Sequence, residues 1–191
     1  MTNKQKYASM GDEALMLAVA HDDVSAFTVL YQRYADRMLN YFYRMLNHES
    51  SKSQDFLQDL FLKVIQKSAM FNPNEKFSTW IFAIAHNMCV NEFRRVEVRQ
   101  RAINEGKLNT DQQVVEDVDA ELDLAVIEKA VHKEITKLDP EHRSTFLLRF
   151  REQLSIREIS AILNCSEGTT KSRLFYTTRD LAFKLKQLNP F

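Results

Sequence analysis

The sequence predicts an all-α protein of two small helical domains joined by a flexible acidic linker. Three observations carry that expectation. Glycine and proline are scarce, at 3 residues each in 191, and no stretch sustains the apolar–polar alternation of a strand. Apolar residues instead recur at helical spacing in two blocks, 13–97 and 126–186. Between them, residues 105–123 are acidic and poor in aromatics, a composition that cannot bury a core. The expected division is therefore 13–97, a linker over 98–125, and 126–186.

Net charge is zero only as a sum of opposed blocks. Residues 1–90 carry 9 basic and 9 acidic groups, and residues 91–104 carry 4 against 2. Residues 105–125 set Lys107 against seven acids, whereas 126–191 carry 12 basic groups against 8 acidic. The basic C-terminal block is the one suited to nucleic acid. No apolar run reaches the 18 or more residues of a membrane span, and the first residues lack an apolar signal core. The expected location is the cytoplasm. Cys89 and Cys165 form no CxxC pair and read as reduced, structural thiols. No enzymatic role is expected. His21, His48, His86, His132 and His142 lack metal-ligand spacing and no glycine-rich phosphate loop exists, so neither catalytic residues, metal nor cofactor is expected.

In chain order, Asp23 can cap a helix on which Phe27, Leu30, Tyr31, Tyr34, Met38, Tyr41, Phe42 and Met45 recur at helical spacing, and core packing accounts for most of these aromatics. Residues 54–67 form an amphipathic helix with Phe56, Leu57, Leu60, Phe61, Val64 and Ile65 on its apolar side. Asp55, Gln58, Asp59, Leu62 and Lys63 lie on the other side, which taken alone reads as solvated. Asn72-Pro73-Asn74 is a loop by turn chemistry. Ser78 or Thr79 then starts a helix that is apolar nearly all round, except for an edge of Asn87, Asn91, Arg94 and Arg95. Asparagine offers a base both donor and acceptor, and arginine adds phosphate affinity. Trp80 reads as a core anchor rather than a stacking platform. From Val96 the periodicity fades.

The pattern resumes over 126–138, with Ile127, Ala130, Val131, Ile135 and Leu138 inward. Asp139-Pro140-Glu141 restarts the chain as N-cap, N1 and acidic first turn, and Phe146, Leu147 and Phe150 are expected in the core. Ser155 and Glu158 make a capping box, Ile156, Ile159, Ile162 and Leu163 an apolar stripe, and Ser166 an N-cap after Asn164-Cys165. That is helix-turn-helix geometry. On the last helix Thr170, Leu174, Thr177, Leu181 and Leu185 share the core face, while Ser172, Phe175, Tyr176 and Arg179 lie opposite. Two aromatics on an outward face suit a partner, either the DNA major groove or another protein helix.

Leu-Ser-Ile-Arg-Glu-Ile-Ser followed by Ser-Glu-Gly-Thr-Thr-Lys-Ser-Arg-Leu closely resembles region 4.2 of bacterial sigma factors of the extracytoplasmic-function (ECF) group, in the sigma-70 family. Ser160 and Thr170 stand where that family usually has Ala and Val. Asp-Val-Ser-Ala-Phe-x-x-Leu-Tyr-x-x-Tyr resembles region 2.1, Asp-x-x-Gln-x-x-Phe-x-Lys-Val region 2.2, the Trp80–Arg95 stretch regions 2.3 and 2.4, and 126–152 region 4.1. Asn91 stands where Asp is usual, and His86 where Arg is frequent.

The resemblance implies an initiation subunit that brings core RNA polymerase to particular promoters, typically under the control of an anti-sigma factor. Asp55, Gln58, Asp59 and Leu62 become polymerase contacts. Asn74, Asn87, Asn91, Arg94 and Arg95 face the downstream (minus-ten) element as it melts. Lys171, Ser172, Arg173, Phe175, Tyr176 and Arg179 face the upstream (minus-thirty-five) duplex. A linker of about 25 residues reaches at most ~85 Å, enough to bridge sites ~50 Å apart, or about fifteen base pairs. A stand-alone helix-turn-helix regulator and an all-helical protein-binding adaptor are the alternatives, separated from this reading by polymerase co-elution.

Overall fold

The computed structural model describes residue 7 and residues 9–104 and 131–188, all as helices and their connections. The expected linker and the first part of the helix predicted from 126 lie outside the described residues, apart from 98–104 and 131 onward. The first half holds α1 (Asp12–Val19), α2 (Val24–Met45), α3 (Ser50–Gln66), a 3₁₀ turn (Ser68–Met70) and α4 (Phe77–Asn104). The second half holds helical residues 131–136, then α5 (Pro140–Phe150), α6 (Ile156–Ile162) and α7 (Glu167–Leu188).

Helix ends follow side-chain chemistry. Asp23 accepts from the Ala26 amide at 3.0 Å and starts α2. Asn47 and His48, at φ 57° and 66°, end that region in the left-handed conformation that satisfies helix carbonyls. Asp139 accepts from the amides of Glu141 and His142, with Pro140 at N1. The start of α4 is capped in space rather than in sequence: the Phe77 amide donates to Glu13 of α1 at 3.0 Å. No local pattern could have shown this.

In the first half Leu30, Met38, Phe42, Leu60, Phe61, Ile81 and Phe82 are fully or almost fully buried. Edge-on ring pairs link its helices, Tyr34 with Phe77 at 5.0 Å and Tyr41 with Phe82 at 5.4 Å. Trp80 packs half-buried on Phe71 and Phe77, as a core anchor would. Leu147, Leu148, Leu154, Ile159 and Ile162 belong to the same contiguous core, so α5 and α6 pack directly on the first half. Polar contacts accompany them. Tyr41 Oη and His86 Nδ1 both meet the Ser144 hydroxyl, at 2.8 and 3.0 Å. Arg143 donates to the Met45 carbonyl (2.6 Å) and Asn47 Oδ1 (2.8 Å) across the interface, and to the Thr136 and Leu138 carbonyls on its own side. Arg37 pairs with Glu152 (2.9 Å), and Lys76 with Glu158 (2.7 Å).

Three expectations are corrected. The long helix α4 continues to Asn104, through residues 98–104 that the sequence assigned to the linker. An i,i+4 ion pair between Glu97 and Arg101 and a Gln100–Asn104 hydrogen bond help hold this outer stretch without an apolar stripe. Phe150 is 51% exposed and lies tilted against Phe146, because α5 ends there; Leu148 takes the core position instead. Ile65, expected on the apolar side of α3, is also exposed.

Candidate nucleic-acid interface

The helix-turn-helix is built as its sequence pattern requires. Ser155 and Glu158 exchange both bonds of the capping box, with the Ser155 amide donating to Glu158 at 2.9 Å. Such a cap is worth about 1 kcal/mol. Asn164 closes α6 at φ 48°, and the Cys165 amide reaches back to the Ser160 carbonyl. Ser166 then accepts from the Thr169 amide at 3.0 Å and opens α7. Inside the angle between α6 and α7, the buried hydroxyls of Ser160 and Thr170 are hydrogen-bonded at 2.9 Å. The two departures from the family pattern thus form a matched polar pair. Thr177 and Leu181 continue the buried face, with Leu174 and Leu185 half-buried.

The opposite face of α7 is open. Lys171, Ser172, Phe175, Tyr176 and Arg179 are all exposed, Phe175 at 59% and Tyr176 at 55%. The Arg179 guanidinium lies over both rings, 5.6 Å from the Phe175 centroid and 5.2 Å from that of Tyr176. The result is a cation–aromatic patch on the open face of the helix. Arg173 differs. Its side chain is 19% exposed and is ion-paired with Glu141 of α5, so it ties the recognition helix to its support.

On α4, Asn87, Asn91, Arg94 and Arg95 share an exposed edge. Arg95 pairs with Glu92 at 2.9 Å, and Glu92 also takes Lys52 of α3 at 3.1 Å. The Lys52 and Arg95 contacts outweigh burial and hold the Glu92 carboxyl below its usual pKa. Asn74 is exposed in the loop before α4, where its amide donates to Asn72 Oδ1 in an Asx turn. Asn87 lies ten residues into α4, about 15 Å along the axis from Phe77 at 1.5 Å per residue. His86 is buried, and that burial lowers its pKa to about 4, so a neutral imidazole meets Ser144. Within α3, Asp55, Gln58, Asp59 and Leu62 are all exposed, and so are the apolar side chains of Ile65 and, in the following 3₁₀ turn, Met70.

Sequence reasoning missed Arg143, Ser144 and the Lys76–Glu158 pair; each has a partner on the other half of the chain, 82 residues away in the last case. No local signal marks them.

Residues 30–99 match the family Sigma-70 region 2, and residues 128–175 match Sigma-70, region 4. The chain is 31% identical over 148 residues to the RNA polymerase sigma factor YlaC of Bacillus subtilis (strain 168), covering 76% of this chain and 83% of that protein. The chain belongs to the sigma-70 family, in its ECF group. Members of this group are not enzymes; they are initiation factors that bind core RNA polymerase and promoter DNA. The ECF RNA polymerase sigma factor SigW of the same organism is 29% identical over 178 residues, covering 89% of this sigma factor and 94% of that one. The fold is also that of CnrH, solved in complex with the cytosolic domain of CnrY: TM-score 0.68 at 21% identity, covering 92% of this chain and 97% of that one. No described helix of this sigma factor is long and apolar enough to cross a membrane.

Proposed function

We propose that this sigma factor divides promoter recognition between two faces and polymerase docking onto a third. Lys171, Ser172, Phe175, Tyr176 and Arg179 read the upstream duplex in the major groove. Asn74, Asn87, Asn91, Arg94 and Arg95 hold the downstream strand after it melts, and Asp55, Gln58, Asp59 and Leu62 dock core polymerase. Arg173 adds phosphate affinity only by exchanging Glu141 for DNA. The observation that carries the assignment is the Phe175–Tyr176–Arg179 patch, exposed on a helix whose other face is committed to the core. Control by an anti-sigma factor fits the solved relatives, among them RpoE of Bartonella quintana in complex with NepR. The cytoplasm is the proposed location.

The test uses core polymerase and a promoter library with a randomised upstream element. Wild type should enrich one upstream sequence, and Tyr176→Ala should relax that preference at a cost of about 1–3 kcal/mol. Unchanged enrichment would remove this face from the reading.

A further inference from the structure

The loop that carries Asn74 is held at both ends, and one hold comes from α1, which precedes the residues 30–99 matched to Sigma-70 region 2. At its start Phe71 is buried and packs edge-on against Phe77 at 6.0 Å and Trp80 at 5.4 Å. Within it the Asn72 carbonyl accepts from the Glu75 amide at 3.0 Å, which tightens the turn around Asn74. At its end the chain enters α4, whose first amides have no partner inside the helix. The residue in the capping position is Lys76, whose side chain carries no acceptor. Glu13 Oε1 fills that role from α1, taking the Phe77 amide at 3.0 Å.

Glu13 lies in the first turn of α1 as well, so one carboxylate serves the N-terminal ends of two helices, where negative charge is favoured. Its own helix is fixed to α2: Asp12 accepts from Arg33 and from Tyr34, each at 2.5 Å, and Leu15 and Met16 are fully buried. The loop's other polar hold, Lys76 to Glu158, has a lysine side chain 68% exposed and so is weakened by solvent and salt. We propose that Glu13 is a positioning residue for downstream-element recognition. By pinning the first turn of α4 it sets Asn74, three residues before Phe77, against the edge that carries Asn87 and Asn91. The inference rests on the reading of loop and edge proposed above. Without this acceptor the first turn frays, and a side chain displaced by ~1 Å leaves hydrogen-bond range of a base.

The test separates placement of the loop from support of the fold. Core polymerase carrying wild type, Glu13→Ala, Glu13→Gln or Asn74→Ala is assayed for binding to a panel of pre-melted promoters. In the panel the non-template strand carries each of the four bases in turn at each downstream position. Wild type should discriminate among bases at the position where Asn74→Ala loses discrimination. Glu13→Ala should lose about fivefold of the base ratio at that same position and at no other, the worth of about one hydrogen bond. Glu13→Gln keeps an oxygen for the Phe77 amide and should retain the ratio. A merely structural contribution would weaken binding to every template alike and leave the base ratios untouched. Unchanged discrimination in Glu13→Ala, or an equal loss on all templates, therefore overturns the proposal. So does a Glu13→Gln variant as defective as Glu13→Ala, because the hydrogen bond would then not be the cause. If Asn74→Ala itself leaves every base ratio unchanged, the reading of the loop fails, and the role of Glu13 falls with it.

Discussion

The hydroxyl pair inside the helix-turn-helix makes a quantitative test of how the recognition helix is held. Ser160 donates to the Ile156 carbonyl at 2.7 Å, which spends its one proton. Thr170 then donates to Ser160 at 2.9 Å, and the Cys165 thiol, 3.4 Å from Thr170, donates to Thr170. Removing one hydroxyl does not leave the other wholly unpaired. In Ser160→Ala, Thr170 can turn to the Ser166 carbonyl at 3.3 Å. In Thr170→Val, Ser160 keeps Ile156 but loses its incoming donor. Each single change should therefore cost about 1 kcal/mol, the net worth of one buried hydrogen bond. Replacing both partners by apolar groups of similar shape is nearly neutral. The double variant should thus be more stable than the sum of the singles implies, with a coupling of up to about 2 kcal/mol.

Urea unfolding of the four proteins measures this directly. In thermal melts 1 kcal/mol corresponds to about 2–4 °C for a chain of this size. Upstream-duplex binding in the presence of polymerase should follow the same order, because Thr170 sits in the first turn of α7 and sets its angle against α6. Strictly additive losses would show that the two hydroxyls act independently, and the pair would then have no part in holding the recognition helix.

Three further outcomes follow from the site geometry. Asp59→Arg reverses an exposed charge on α3, so it should leave the melting temperature within about 1–2 °C of wild type and strongly weaken co-elution with core polymerase; a large melting shift, or intact co-elution, counts against the docking face. His86 takes up its proton near 6.5 when unfolded but only near about 4 when folded, so the unfolded state binds more protons between those values and stability falls as pH drops through that window. The full effect is about 3 kcal/mol, and His86→Gln should flatten the slope; an identical slope in the variant assigns the acid sensitivity elsewhere. A heteroduplex bubble over the downstream element should rescue Asn74→Ala or Asn87→Ala only in part if these side chains read extruded bases, whereas complete rescue would make them aids to melting.

Legibility in the sequence tracks the range of the interaction. Caps at Asp23, Asp139, Ser155 and Ser166 all formed where their spacing placed them, because each bond closes within a few residues. The outward face of α7 was equally legible, since helical periodicity alone separates Phe175 and Tyr176 from Thr170 and Thr177. Periodicity misled where solvent, not a core, surrounds the helix: α4 beyond Val96 has no apolar stripe to report, only Glu97 and Arg101 one turn apart. The packing between the halves was invisible for a different reason. Ser144, Arg143 and His86 are polar residues inside helices, a composition that fits solvated positions. Their burial is affordable only because Tyr41 and the Met45 carbonyl arrive from the other half. Such groups gain nothing from being buried unless the partner is present in that one arrangement. Their satisfaction across the interface is thus the strongest physical sign that the packing between the halves is specific rather than a chance apposition of two apolar faces.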